Sequence, residues 1–154
     1  CRLWLIGQGF PNEPDNSEDV IAHMVDQYAL ADKVQFMGYR EDVDDLLKAM
    51  DIFCLPSHQE GLPMSIIEAM ATGLPVIGTD VPGIRIVVKS NRNGFLVASN
   101  NQAELTRALI QLVSDAGLRK KMGEAGRADV EKYYSLKKCI EEYSALFESL
   151  IDQR

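Results

Sequence analysis

Apolar residues recur along this chain in two rhythms, short unbroken runs and helical stripes, and the switching between them predicts its elements. Leu3-Trp4-Leu5-Ile6 is an apolar run that stops at Gly7-Gln8-Gly9, the pattern of a buried parallel strand entering a glycine turn. A loop from Phe10 to Asp15 follows, and Asn16 or Ser17 caps a helix with Ile21, Met24, Val25 and Tyr28 on its apolar face. Asp19, in the position three after Asn16, makes a loose capping box. Val34 to Met37 is the second strand, closed by Gly38-Tyr39, and Asp42 to Met50 is a short helix with Leu46, Leu47 and Met50 inward.

Ile52 to Leu55 is the third strand and stops at Pro56-Ser57. A helix then runs from Pro63 to Ala71, with Pro63 at its first position and Gly73 and Pro75 ending it. Pro75 to Gly78 is the fourth strand. Ile84 to Val88 reads as a short helix, because Phe95-Leu96-Val97 is the cleaner fifth strand after a turn at Asn93-Gly94. Beyond it the chain is helical. Asn101 and Glu104 form a capping box ahead of the stripe Leu105, Ala108, Leu109, Leu112 and Val113, and a second helix begins near Ser114-Asp115 with Leu118 and Met122. Ser135 caps a last helix, 135–151, whose apolar face of Leu136, Ile140, Tyr143, Phe147 and Leu150 or Ile151 is expected to pack on its own domain.

Strand and helix alternate throughout, so the expected fold is a Rossmann-like three-layer α/β sandwich with a mainly parallel sheet. Ligands of such folds bind beyond the C-terminal ends of the strands, and the loops Gly7–Gly9, Gly38–Tyr39, Pro56–Gly61 and Gly78–Gly83 all fall there. With 154 residues the chain reads as a single domain, 1–154.

Composition narrows the function. A net charge of −7 argues against a nucleic-acid surface, though not against a local phosphate pocket. Arg119, Lys120, Lys121, Arg127, Lys132, Lys137 and Lys138 form a basic cluster, read first as solvated helix faces and otherwise as a contact with a partner domain or an anionic surface. Cys1, Cys54 and Cys139 lack metal-ligand spacing and read as reduced cytosolic thiols, two of them small core residues. There is no apolar run of roughly 18 residues, and no signal peptide is expected.

Several chemistries are absent. Gly7-Gln8-Gly9 lacks the third glycine and the immediate helix of a dinucleotide fingerprint, and Asp26 lies mid-helix rather than at a strand end. No Gly-Lys-Ser phosphate loop and no Gly-x-Ser-x-Gly elbow occurs, and His23 and His58 give no zinc pattern. His58, directly after a strand, is a candidate functional residue beside its plainer role in a polar loop. Ser57 and Ser65 could donate to a phosphate or sugar, or cap local backbone.

Glu60 and Glu68 carry the most information. Glu68 stands among Ile66, Ile67, Ala69, Met70 and Ala71, where a buried carboxylate would need partners or a ligand. Glu60 sits on the preceding loop. Such a pair points to general acid/base chemistry or to hydroxyl recognition, with a salt bridge for Glu68 and a solvated loop position for Glu60 as the alternatives.

Glu60-Gly61-Leu62-Pro63, then Glu68-Ala69-Met70-Ala71-x-Gly73-x-Pro75-Val76-Ile77, resembles the EG-x-P…EAMA-x-G-x-PVI signature of the retaining GT-B glycosyltransferases, the group 1 glycosyl transferases typified by sucrose synthase-like and mannosyltransferase-like enzymes. The acids keep that family's spacing, and the likeness runs from about Leu3 to Tyr133. It implies the C-terminal, donor-binding half of a GT-B fold, in which a hexose passes from a nucleotide-sugar to an acceptor hydroxyl with retained anomeric configuration. On this resemblance Glu60 is the catalytic residue at the donor sugar and Glu68 holds the ribose hydroxyls. Gly61, Leu62 and Pro63 line the diphosphate and sugar pocket, Ser57 and Gly83 are further donor-binding residues, Gly38 and Tyr39 lie by the base, and Gly7 and Gly9 allow close approach of the nucleotide.

The resemblance also implies no metal or other cofactor, a nucleotide-sugar as partner, and no nucleic acid. It implies a cytoplasmic place, with the parent protein reaching the inner membrane face in polysaccharide or glycolipid synthesis. The family's first strand, a basic Arg and Lys pair and an acceptor-binding N-terminal domain are all expected to precede Cys1, so this stretch alone is expected to be inactive. Where the family carries an acid after its glycine-rich loop, this chain has Ile86, beside an Arg85 that would face a phosphate or solvent. That departure keeps a catalytically inactive α/β module open as an alternative, next to a GT-B nucleotide-sugar epimerase.

Overall fold

The structure, a computed structural model, describes residues 1–7 and 17–151. Gln8, Gly9, the proline loop and the cap at Asn16 lie outside the described residues. The chain divides into two compact units, Cys1–Val43 and Asp44–Arg154.

In the first unit β1 (Leu3–Ile6) pairs in parallel with β2 (Val34–Gly38), with α1 (Ser17–Gln27) between them in sequence. The register runs Leu3↔Val34 to Leu5↔Phe36 and then slips, so that Ile6 stands opposite Gly38. Past that slip the Gly7 N–H donates to the Gly38 carbonyl at 3.0 Å. Gly7 has φ +126 and Gly38 φ +63, backbone that glycine adopts without a Cβ penalty. On α1 Val25 is buried, but Met24 and, just past the helix, Tyr28 are exposed, contrary to the expected apolar face. Two short strands cover less of a helix than a full sheet would.

The second unit opens with α2 (Val43–Ala49), which buries Leu46 and Leu47. It continues through β3 (Phe53–Leu55), α3 (Met64–Ala71), β4 (Val76–Thr79), α4 (Pro82–Val87), β5 (Gly94–Val97), α5 (Gln102–Ser114), α6 (Ala116–Tyr133) and α7 (Leu136–Ile151). The strands pair in parallel in the order β3-β4-β5, and all four residues of the central β4 are buried. The expected parallel strands are therefore present, divided among the described residues into sheets of two and three strands.

Alternation along β4 sorts the helices into layers. Gly78 turns toward Ile66 of α3 and Ile84 of α4. Ile77 enters a core with Val97, Ala108 and Leu112 of α5, and Met122 of α6. Helix α3 ends as its sequence predicts. Gly73, at φ +87, donates to Met70 O at 2.9 Å and Leu74 N–H donates to Ala69 O at 3.0 Å, a Schellman stop. Its start is shifted: Pro63 is the extended N-cap rather than the first helical residue. Helix α6 reaches α3 through small residues, since a Cβ on Gly123 would collide with the Gly73 carbonyl and one on Gly126 would press on Met70.

Asp115 ends α5 and caps α6, accepting from Leu118 N–H at 2.8 Å. Arg119 donates to the free carbonyls of Leu112 and Val113 at 2.7 and 3.2 Å. Lys120, Arg127, Lys137 and Lys138 each face a glutamate one turn on. Those positions of the basic cluster are thus helix-surface and capping groups, each pair contributing a few tenths of a kcal/mol.

Helix α7 does not pack on its own domain: it has no buried residue, and Leu136, Ile140, Tyr143, Phe147 and Leu150 are all more than half exposed. Cys1 and Cys139, the latter on that helix, are both exposed, so two core cysteines are not found. Cys54 on β3 is partly buried, and that burial pushes its thiol up to about 11.

Candidate functional site

In the second unit the loop 56–63 follows β3 and Gly83 follows β4, while Glu68 lies on the outward face of α3. The chain leaves β3 at Pro56, passes Ser57 and His58, and reaches Glu60 and Gly61 before Pro63 opens α3. It leaves β4 at Asp80 and enters α4 through Pro82 and Gly83. The two loops touch at one point. A Cβ on Gly83 would collide with the carbonyl oxygens of both Glu60 and Gly61, so glycine is what lets them pack.

Glu60 is partly buried on this loop, and Glu68 is exposed on α3. The exposure of Glu68 corrects the expectation of a buried acid. Met64, Glu68 and Ala71 form the outward stripe of α3, while Ile66, Ile67, Ala69 and Met70 turn inward. Neighbours in sequence are about 100° apart on a helix, so apolar residues on either side of an acid do not bury it. Neither carboxylate has a hydrogen-bond or ion-pair partner among the described residues, so neither is committed to the salt bridge weighed for Glu68.

Around them Gly61 and Leu62 are exposed, Pro63 is buried, and Ser57 is partly buried. Gly7, Gly38 and Tyr39 belong to the first unit, where Tyr39 is 73% exposed; Gly9 lies outside the described residues. His58 Nδ1 lies 3.1 Å from Ser99 Oγ. Ser99 follows β5, so this bond joins the loop after β3 to the chain after β5, the strands on either side of β4. Ser99 escaped the sequence reading, since nothing local marks a partner 41 residues away.

Arg85 is neither free for a phosphate nor simply solvated. Its Nε donates to Asp80 Oδ1 at 2.7 Å and its Nη2 to the Asp80 carbonyl at 3.2 Å, and the hydrogen bond to the Asp80 carboxylate holds the guanidinium above its ordinary pKa. Ile86, where the family acid would fall, is 57% exposed. Among the described residues no group of three or more His, Cys, Asp or Glu is placed to hold a metal ion, and no helix is long and apolar enough to cross a membrane.

Parallel strands flanked by helices define a Rossmann-like α/β fold. The chain belongs to the glycosyl transferases group 1, whose family model matches residues 1–129. It is 32% identical over 146 residues to an uncharacterized glycosyltransferase of Haemophilus influenzae, covering 94% of this chain and 39% of that protein. Among solved structures it resembles sucrose-phosphate synthase from Thermosynechococcus elongatus, with TM-score 0.87 and 28% identity over 99% of this chain and 39% of that one. It also resembles Anabaena HepE in complex with UDP, with TM-score 0.89 and 22% identity over 96% of this chain and 41% of that one. The chain thus spans about two fifths of the length of these relatives.

Proposed function

We propose that this chain forms the donor side of a retaining glycosyltransferase, binding a nucleotide-sugar whose hexose passes to an acceptor hydroxyl. The observation that carries the reading is the pair of uncommitted carboxylates, Glu60 on the loop packed against Gly83 and Glu68 on the outward face of α3. A carboxylate is an acceptor only, and two free oxygens suit a vicinal diol. Glu68 takes the ribose hydroxyls and Glu60 meets the donor sugar, with Ser57, Gly61, Leu62, Pro63 and Gly83 beside the diphosphate. No metal enters the proposed reaction.

The remaining machinery, including the acceptor site, is supplied by a further domain, in line with the greater length of the relatives. A half-surrounded donor stays wet, and electrostatic stabilisation of the transition state needs the opposing wall. The proposed compartment is the cytoplasm, which three free thiols suit. A second reading, a module that kept the fold and lost the chemistry, is favoured by the exposed Ile86 and the paired Arg85.

Calorimetric titration with UDP, GDP and ADP tests the proposal, with UDP first because HepE was solved with it. Saturable binding of one nucleotide, weakened in Glu68→Ala, supports the donor site. Absence of binding to the complete protein favours the inactive module.

A further inference from the structure

Asn93 is fully buried, although Asn93-Gly94 is a turn sequence that ordinarily faces water. Its amide is engaged on both sides. Nδ2 donates to the Val87 carbonyl at 3.2 Å and to Asp129 Oδ2 at 3.0 Å, while Oδ1 accepts from the Lys89 N–H at 2.8 Å. Asp129, on α6, is buried too and accepts from Arg92 Nη2 at 2.6 Å. A buried carboxylate survives only with such partners, and removing one leaves the others exposed to the full desolvation cost. Gly94 is pressed so closely on β4 that a Cβ would collide with the Val76 carbonyl, so the turn cannot slide along the sheet.

This clamp holds the C-terminal end of α4: Val87 is its last residue and Lys89 lies just beyond. Near the other end of α4 Gly83, its second residue, is seated against the Glu60 and Gly61 carbonyls. Between them the fully buried Ile84 lies over Gly78. Six helical residues span about 9 Å. Helix α4 is therefore a short strut between a buried polar clamp and the loop that carries Glu60.

We propose that Asn93 and Asp129 are positioning residues for the Glu60–Gly61 loop, acting through α4. The mechanical link stands on the contacts alone; its consequence for ligand binding rests on the donor-site reading above. Both carboxamide and carboxylate lie away from the loop, at the opposite end of α4, so their effect there is indirect.

Backbone NMR order parameters of the full chain test the link, comparing wild type with Asn93→Ala, the milder Asp129→Asn, and Leu112→Ala, a core truncation in the opposite layer. Rigid backbone gives values near about 0.85 and flexible backbone below about 0.6. Asn93→Ala is expected to lower Glu60, Gly61 and Leu62 toward the flexible range together with Ile84 to Val87, and Asp129→Asn to do so less. Leu112→Ala, destabilising in its own right, is expected to leave them unchanged. In parallel the Kd for UDP is expected to rise at least fivefold in Asn93→Ala.

Unchanged order at Glu60 to Leu62 in both clamp variants, or an equal loss in Leu112→Ala, would overturn the proposal. If Asn93→Ala does not fold, Asp129→Asn decides by the same residues. If wild type binds no UDP, the donor-site reading fails for that nucleotide, while the order parameters still decide the link.

Discussion

Gly83 lies against Glu60 so closely that a single added Cβ would enter the Glu60 carbonyl oxygen. The contact is backbone to backbone, so no side-chain rotation relieves it. Gly83→Ala is therefore expected to destabilise the protein by about 1–3 kcal/mol, the usual cost of overpacking. Gly61→Ala has open space around its Cβ and is expected to change stability by no more than about 0.5 kcal/mol. Urea denaturation of the two variants checks the contrast, and equal losses would place the constraint elsewhere.

How much of this site was legible in the sequence differs residue by residue. The alternation of apolar runs and stripes placed the strands to within a residue or two, because β4 is buried on both faces and Gly73 punctuates α3. The exposure of Glu68 is not legible from its apolar neighbours, because adjacency in sequence is not adjacency on a helix. Asn93 carries only a turn signal, since its burial depends on α6 folding back over it. Asp129 sits among charged neighbours, Arg127, Glu131 and Lys132, that do face water. The apolar stripe of α7 is plain in the sequence, but nothing in it says what covers the stripe. Periodicity says that a face is apolar, not what covers it.

That uncovered stripe makes a direct comparison possible. Ile66 is fully buried under Gly78, and truncation to Ala is expected to cost about 2–5 kcal/mol. Phe147 is 61% exposed, and Phe147→Ser is expected to stay within about 0.5 kcal/mol for the isolated chain. Thermal unfolding of both variants measures the difference. A large loss at Phe147 would show that α7 is covered in solution.

Thiol chemistry separates the three cysteines. Burial lifts the Cys54 thiol to about 11, so its folded state keeps the proton where an unfolded thiol, near 9, has begun to lose it. Between those values the native protein binds more protons than the unfolded one, and stability is therefore expected to fall as pH rises from about 9 to about 11. At pH 8 a thiol reagent is expected to label Cys1 and Cys139 promptly and Cys54 only on unfolding. Mass spectrometry of the labelled peptides reads this out, and fast labelling of Cys54 would contradict its burial.

Glu60 and Glu68 test whether the site is functional or incidental. A carboxylate that stabilises the fold does so through partners, and neither acid has one among the described residues. Glu60→Ala and Glu68→Ala are therefore expected to leave stability unchanged within about 0.5 kcal/mol. Ligand binding should respond differently. A hydrogen bond to a charged group contributes about 1.5–3 kcal/mol, so losing the Glu68 contact with a ribose is expected to raise the Kd of the bound nucleotide about tenfold to a hundredfold. Glu60, placed at the sugar rather than the nucleoside, is expected to leave affinity for the free diphosphate nearly unchanged and to weaken the nucleotide-sugar selectively. Titration of each variant with both ligands distinguishes the two acids. Equal losses for diphosphate and conjugate in Glu60→Ala would remove it from the sugar, and a stability loss in Glu68→Ala would make that carboxylate a structural group.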